Sequence, residues 1–467
     1  MNNSHQPPAD YFRIVLFPPQ AKQILVARQT GKVALPALEA PRYARQAEVI
    51  SAGLRRLLGV DAYCLSFKSG LDGQGYVVAS TGESDPIVPS PFEWIDPDVL
   101  ADDAFAEAQV YSTITDALAE IRHYHKQPAV GFFGRPGWLR EIKDWVRQEI
   151  EPLGERLTGE HLQLNASATN SLLRLAASGS AFWFKAVGEP AVREFEITRY
   201  LKRKFPAFLP EIVAERADCK GWLSKEFLGI HPDETSPDTI WITVATALAE
   251  LQVASIGQTL HLSEAGCFDA GTRALAELVD PFFAAVTDLM EAQASSSPAP
   301  LSREQLKEVR NVLFDAISTV DQLGVPATLG HLDFNTGNIL VGGNRAVFLD
   351  WASGCIGSPF PTLEYLLEQI RTLRGSDQSL LARVQSAYAQ KWQSLIAADE
   401  MCVALAANPL LAAFCYASGC GAWRNRSHHG DLGTAAPYLR SLTRRMKKEA
   451  EIWSSTIASP SNCRHTG

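Results

Sequence analysis

Residues 331–351 read HLDFNTGNILVGGNRAVFLDW and place two carboxylates and one amide at short, fixed spacings. Asp333 is followed by Asn338 five residues later and by Asp350 seventeen residues later. Two apolar runs separated by Gly342-Gly343-Asn344 predict a β-hairpin, which brings Asp350 back beside Asn338. One carboxylate can orient an attacking hydroxyl, while the other carboxylate and the amide oxygen hold Mg²⁺ on nucleotide phosphates. The segment therefore predicts a phosphoryl-transfer site.

This segment resembles the catalytic and metal-binding segments of the aminoglycoside phosphotransferase/choline kinase-like superfamily, which is distantly related to protein kinases. The usual pattern there is His-Gly-Asp-Leu-His-Pro-Gly-Asn, a strand, and then Ile-Asp-Trp. The residues that match are His331, Asp333, Gly337, Asn338, Asp350 and Trp351. The residues that depart from it are Leu332, Asn335 and Thr336. These departures flank the chemistry and remove no charged group, so they concern the loop conformation and the substrate contacts.

The resemblance implies an ATP-dependent phosphotransferase with ATP and Mg²⁺ as cofactors. Asp333 is the implied base or orienting residue, and Asn338 and Asp350 are the implied Mg²⁺ ligands. Lys185 ends an aromatic strand and is implied to hold the α- and β-phosphates. A lysine on the buried side of a strand needs a carboxylate partner. The spacing favours Glu194 over Glu196 as that partner, and both alternatives stay open.

Weaker signals surround these residues. The loop at 165–170, NASATN, has small side chains that let backbone N–H groups approach phosphate, which makes Ser167 and Thr169 candidates. Glu226 and Leu228 fall where a kinase-like chain joins its two lobes, and the backbone there is expected to bond the adenine edge.

Two further residues of the motif, His331 and Asn335, are expected to lie at the catalytic loop. His331 is expected to be structural, packing under the catalytic loop. Asn335 either contacts substrate or braces the loop. Glu364 and Glu368 follow the second aspartate and either face a cationic acceptor or lie on an exposed helix face.

The predicted fold class is α+β: a bilobal protein-kinase-like fold preceded by an α/β N-terminal domain. The expected boundaries are residues 1–150 for the N-terminal domain, 151–232 for a small antiparallel β lobe, and 233–460 for a helical lobe with the catalytic hairpin. Helices are expected over residues 42–58, 97–107, 113–125, 192–204, 238–255, 273–294, 302–323, 362–373, 377–397, 408–427 and 437–455.

The N-terminal domain faintly resembles a Nudix domain. The helix end GLRRLLGV at residues 53–60 falls where that family carries an acidic metal-binding box. The positions expected to be glutamates are Gly53, Arg56 and Leu57. The comparison therefore implies that no pyrophosphate-hydrolysing metal site is present.

Composition limits the partners. The net charge of −9 argues against nucleic-acid binding and is compatible with a small cationic acceptor. No run of roughly 18 apolar residues and no secretory leader are seen, so neither a membrane span nor export is expected. The eight scattered cysteines without a CxxC pair are expected to be buried thiols in a reducing cytoplasm. Oligomeric state is not indicated, and the alternative function is a catalytically silent nucleotide-binding regulator.

Overall fold

The computed structural model describes residues 9–29, 32–42, 45–69, 75–82, 86–100, 104–105, 108–375, 377–424 and 435–458. The chain divides into two compact units, the first made of residues 1–195 and 211–226 and the second of residues 196–210 and 227–467. The sequence predicted three domains, at residues 1–150, 151–232 and 233–460, and this division remains a prediction.

The first unit begins with short strands around helices. Its N-terminal elements are β1 (Ala9–Phe17), β2 (Ile24–Gln29), β3 (Lys32–Ala34), β4 (Ala37–Pro41), α1 (Gln46–Leu58), β5 (Ala62–Ser69), β6 (Gly75–Thr81), β7 (Phe92–Ile95), α2 (Ala108–Lys126) and α3 (Trp138–Ile150). A four-stranded mixed sheet has the order β4-β1-β6-β5, and a three-stranded sheet has the order β3-β2-β7. Only the β1–β6 pair is parallel in these sheets.

A five-stranded antiparallel sheet completes the first unit. It has the order β11-β12-β10-β9-β8. Its elements, with one helix that continues into the second unit, are β8 (Leu157–Ala166), β9 (Ser171–Ala177), β10 (Ala181–Ala186), α4 (Arg193–Lys204), β11 (Ile212–Arg216) and β12 (Gly221–Lys225). The expected small antiparallel sheet with a single helix is confirmed.

The N-terminal elements and the five-stranded sheet share one hydrophobic core. Phe133 packs on Phe184 of β10 with ring centroids 6.1 Å apart. Trp145 of α3 packs on the same ring at 5.9 Å. Leu173 and Leu223 of the sheet are buried in this cluster. Residues before 151 therefore supply part of the core behind the β10 strand, and a separate cluster lies between the β1–β6 sheet and α1.

A buried glutamine joins the two sheets. The Gln163 amide on β8 accepts a hydrogen bond from the Cys64 N–H at 2.8 Å and donates one to the Cys64 carbonyl at 2.9 Å. Cys64 lies at a register shift in the β5–β6 pair. The side chain thus supplies the backbone pairing that the irregular strand would otherwise lack.

The second unit is mainly helical. Its elements are α5 (Asp238–Ala254), α6 (Thr259–Glu264), β13 (Phe268–Ala270), α7 (Thr272–Glu291), α8 (Arg303–Gln322), β14 (Thr328–His331), β15 (Ile339–Gly342), β16 (Arg345–Phe348), β17 (Gly354–Gly357), α9 (Phe360–Arg374), α10 (Gln378–Gln390), α11 (Ala398–Cys420) and α12 (Ala435–Ala458). The sheet β13-β17-β14 and the hairpin β15-β16 lie among these helices. The α+β class is confirmed.

Two helix predictions are wrong. The expected helix at 97–107 is only a 3₁₀ turn at Pro97–Val99, because the Asp96 carboxylate caps Asp98 N–H and Leu100 is already extended; residues 101–103 and 106–107 lie outside the described residues. The expected helix at 408–427 begins ten residues earlier, at Ala398. An Asn-Pro pair is typical of a helix start, but Pro409 lies inside this helix.

Helix α11 is also apolar and long enough to cross a membrane, which corrects the expectation that no segment is. In the structure 72% of its apolar window is buried. Asn408 donates a hydrogen bond to the Phe360 carbonyl, and the Tyr416 hydroxyl donates one to the Pro361 carbonyl. These contacts are those of a core helix.

Candidate phosphoryl-transfer site

His331 lies under the catalytic loop and is buried. Its Nε2 donates to the Leu349 carbonyl at 3.0 Å, and its Nδ1 accepts from the Asp333 N–H at 3.1 Å. Burial lowers the pKa of His331, while the Leu349 carbonyl and the carboxylates of Asp333 and Asp350 act in the opposite direction. A neutral ring with both nitrogens engaged positions the loop and is not free to exchange a proton, which agrees with the expected structural role.

The Asp333 carboxylate is held by neighbouring polar groups. Oδ1 accepts from the Asn335 amide at 2.9 Å and from the Tyr365 hydroxyl at 3.3 Å. The Asn338 amide nitrogen lies 3.4 Å from Oδ2 and donates to the Asp333 carbonyl at 2.9 Å. These bonds fix the direction of the carboxylate, as an orienting residue requires. Asn335 therefore braces the loop, while any contact of Asn335 with substrate stays a prediction.

The hairpin places the three predicted residues in one region of the second unit. Strands β15 and β16 pair from Ile339–Phe348 to Gly342–Arg345, and the Leu349 N–H donates to the Asn338 carbonyl at 2.9 Å. Asp350 follows at φ 59° and ψ 61°. This left-handed conformation is uncommon for a residue with a Cβ, although aspartate tolerates it better than most.

The donor atoms of this region fit Mg²⁺. Because the Asn338 amide nitrogen faces Asp333, its Oδ1 is the atom that can bind a metal, together with the Asp350 carboxylate. Both are hard oxygen donors, and Mg²⁺ in nucleotide enzymes keeps waters and substrate oxygens as its other ligands. In the described part of the chain no group of three or more His, Cys, Asp or Glu could hold a metal ion. Two protein oxygen donors suit a Mg²⁺ ion whose other ligands are waters and nucleotide phosphates.

In the first unit, Lys185 is paired with Glu194. Nζ lies 2.7 Å from Oε1, with the Glu194 side chain 2% exposed and that of Lys185 23% exposed. Glu196 instead pairs with Arg199 at 3.0 Å on the exposed surface. The predicted Lys185–Glu194 contact is present, because the Glu194 side chain is buried toward Lys185 while the Glu196 side chain lies on the exposed surface.

The weaker candidates have mostly local contacts. The Ser167 hydroxyl accepts from the N–H groups of Thr169 and Asn170 at 3.2 and 3.0 Å, so it stabilises its own loop. The Glu226 carboxylate binds Arg174 Nε at 2.6 Å and its N–H donates to the Ala181 carbonyl at 2.9 Å.

Leu228, the other residue of the expected adenine segment, has a side chain exposed to solvent. Leu228 is 83% exposed. The expected adenine contact at Leu228 would be made by its backbone N–H and carbonyl groups, and this contact stays a prediction.

Two residues that contact the catalytic loop, Thr362 and Tyr365, are not predicted by any sequence motif. The Thr362 hydroxyl on α9 accepts from the His331 N–H at 2.9 Å, and Tyr365 reaches Asp333 from the same helix. No motif marks either residue, because their role depends on how α9 packs under the loop. In the sequence, their spacing of three residues indicates no more than that they share one face of α9.

The two acidic candidates on α9 are engaged by arginines. Glu364 is buried and bonds Arg371 at 2.8 Å and Arg445 at 3.3 Å, which excludes an exposed helix face for it. Burial raises the pKa of Glu364, and the two arginines oppose the rise. Glu368 also contacts Arg445. Arg445 of α12 thus forms its ion pairs with α9 inside the second unit.

Known proteins resemble this region. The family model described as "Phosphotransferase enzyme family" matches residues 185–395, from Lys185 through the catalytic hairpin. A comparison with curated proteins finds no match.

Similar solved structures include the choline kinase LicA from Streptococcus pneumoniae, at 14% identity and a TM-score of 0.42, covering 68% of this chain and 99% of that chain. The choline kinase from Cryptosporidium parvum Iowa II is 12% identical with a TM-score of 0.48, over 70% of this chain and 99% of the other. The ADP-bound aminoglycoside phosphotransferase APH(2'')-Ib is 16% identical with a TM-score of 0.43, over 67% and 98%.

These identities and scores are low, so the assignment rests on the matched segment, which contains Lys185, Glu194, Asp333, Asn338 and Asp350. Over residues 185–395 this chain is similar to the phosphotransferase enzyme family.

Proposed function

We propose that this protein transfers the γ-phosphoryl group of ATP to a hydroxyl of a small molecule. The observation that carries the proposal is the Asp333 carboxylate fixed by Asn335, Asn338 and Tyr365, next to a hairpin that ends at Asp350. Such a site needs little covalent chemistry from the protein, because positioning and charge neutralisation supply most of the rate enhancement.

Each residue has a separate part in this mechanism. Asp333 orients the acceptor hydroxyl for in-line attack and accepts its proton as the bond to phosphorus forms. Asn338 and Asp350 would hold Mg²⁺, which would supply neutralisation of the phosphate charge. Lys185, kept in place by Glu194, binds the α- and β-phosphates.

The acceptor is proposed to be a small molecule. Glu364 and Glu368 were the residues expected to face a cationic acceptor. Glu364 and Glu368 are both engaged by arginine, so neither carboxylate is left to neutralise an acceptor cation. The acidic groups nearest the loop, Asp333 and Asp350, already have proposed roles in catalysis and metal binding. A cytoplasmic location and the division into three domains remain part of this proposal.

The test is a screen of hydroxylated metabolites and antibiotics for acceptor-dependent ADP release, followed by Asp333→Ala. A general base contributes about 10²–10⁴-fold, so the variant should lose turnover by at least that range while binding ATP normally by calorimetry. Asp315→Ala, which removes an exposed carboxylate of α8, is the matched control.

Unchanged turnover in Asp333→Ala would remove the assigned role. ATP binding without ADP release for any acceptor, in a screen that detects known phosphotransferases, would instead favour a silent nucleotide-binding regulator.

A further inference from the structure

A small cavity in the first unit carries unusual charge. Its volume is about 170 Å³, and it is lined by Asp61 and Tyr63 near the start of β5, Thr81 and Gly82 at the end of β6, and Arg140, Lys143 and Arg147 of α3. One water takes about 30 Å³ of liquid, so the cavity has room for an oxyanion group and a few more atoms. It is smaller than the roughly 300 Å³ at which sites for whole drug-sized ligands begin.

Three cations line one side of this cavity. Arg140, Lys143 and Arg147 are spaced three and four residues apart, so they lie on one face of α3. Arg147 contacts Asp144. The lining carboxylate, Asp61, contacts Arg55. Like charges at this spacing repel one another, and an anion between them relieves that repulsion.

Among the described residues, Arg140 and Lys143 form no ion pair. Arg140 donates to the Gly82 carbonyl at 3.2 Å. Lys143 donates to the Gly159 carbonyl at 3.4 Å and to Nδ1 of His161 at 3.1 Å. These hydrogen-bond partners are neutral acceptors, and Lys143 is half-buried. The Asp61 carboxylate also acts on Lys143, but it contacts Arg55 and lies 3.9 Å from His161 Nδ1, so the lining has three cations against this single carboxylate.

Neither His161 nor the N-terminus of α3 offsets the positive charge of Arg140 and Lys143. Burial, with the Lys143 charge, lowers the pKa of His161 to about 4, so the ring is neutral at pH 7. Burial also lowers the pKa of Lys143, as do the Arg147 and Arg55 charges, while Asp61 opposes them. Helix α3 starts after Gly137, at the same cavity, and its N-terminus adds partial positive charge.

We propose that this cavity is an anion site that binds the phosphate or carboxylate group of a small metabolite through Arg140 and Lys143. The site lies outside the phosphoryl-transfer residues and does not depend on the reaction proposed for them. A phosphate ester and a carboxylate share the recognised chemistry, and the two arms of the test separate them.

The test uses the full-length protein without nucleotide or Mg²⁺, titrated with inorganic phosphate or with acetate at constant ionic strength. We expect saturable binding of at least one anion by calorimetry. Arg140→Gln and Lys143→Met should each weaken it by about tenfold, the effect of losing one charge-assisted hydrogen bond. Arg56→Gln removes an equal charge from the exposed face of α1 and should leave the affinity unchanged.

A second readout locates the bound anion. Mass spectrometry after limited acetylation should show Lys143 protected by the bound anion and Lys126, an exposed lysine of α2, unprotected. Thermal unfolding of each variant shows whether it is folded. The proposal is overturned if neither anion binds saturably, if folded Arg140→Gln binds like the wild type, or if Arg56→Gln weakens binding equally.

Discussion

At the residue scale, Asp350 combines a charge with an uncommon backbone conformation. Its φ of 59° lies in the left-handed region, where asparagine and aspartate are the best tolerated residues after glycine. Asp350→Asn therefore removes the charge and leaves the backbone preference in place. We expect Mg-ATP affinity to fall by about tenfold or more, since a metal ligand loses its charge.

Calorimetric titration of Mg-ATP measures this change. Asp315→Asn removes an exposed carboxylate from α8 and should bind like the wild type. Equal affinity in Asp350→Asn and the wild type would mean that Asp350 does not hold the metal.

The pair of glutamates on α4 allows a matched comparison. Glu194→Gln leaves Lys185 without its charged partner in a partly buried position, and should cost about 1–3 kcal/mol of unfolding free energy and raise KM for ATP. Glu196→Gln breaks an exposed pair with Arg199 and should cost no more than about 0.5 kcal/mol. Urea unfolding and ATP kinetics measure both, and similar losses in the two variants would contradict the asymmetry.

At the element scale, Gln163 is the clearest test of how the N-terminal elements support the five-stranded sheet. Gln163→Leu keeps the volume roughly but leaves the Cys64 N–H and carbonyl unsatisfied in a buried position. Each such group costs about 1–3 kcal/mol, so a loss of about 2–4 kcal/mol is expected by urea unfolding.

The control for this change is Gln148→Leu, at an exposed position of α3. It should change stability by no more than about 0.5 kcal/mol. If Gln163→Leu is equally mild, the bonds to Cys64 contribute little.

The elements also show where sequence patterns work and where they mislead. Helix α3 has buried residues Leu139, Ile142, Val146 and Ile150 at spacings of three and four, a periodicity that is typical of an amphipathic helix. The start of α11 was misplaced because Asn408-Pro409 is a typical helix beginning. There the packing of the preceding apolar turns, with Met401, Ala404 and Ala407 buried, outweighs the local signal.

At the scale of the whole molecule, His161 makes stability depend on pH. Its pKa is lowered from 6.5 to about 4, with burial as the first cause. The folded state therefore binds this proton less well than the unfolded state. Its contribution is present above pH 6.5 and is lost as pH falls from about 6.5 through about 4. The linkage predicts a loss of about 2 kcal/mol between pH 7 and pH 5 from this group.

The experiment compares urea unfolding at the two pH values in the wild type and His161→Gln. The variant should lose about 2 kcal/mol less on acidification than the wild type does. His123→Gln, which changes an exposed histidine of α2, should retain the wild-type difference. An equal pH dependence in His161→Gln and the wild type would refute the assignment.

The sequence alone was enough to predict the fold class and to single out residues 331–351 as the candidate catalytic segment. The spacing of Asp333, Asn338 and Asp350 around a Gly-rich turn is local information, since a short hairpin has few possible geometries. The helix that follows Lys185 likewise has two glutamates in its first turn, Glu194 and Glu196, so the sequence limits the carboxylate partner of Lys185 to these two.

The tertiary structure decided what depends on packing between distant segments. Tyr365 and Thr362 reach the catalytic loop only because α9 lies beneath it, and Arg445 neutralises Glu364 from a helix 81 residues away along the chain. The same holds for the core shared by Phe133 and Phe184. Side-chain periodicity reports which face of an element is buried, but it does not report which other element covers that face.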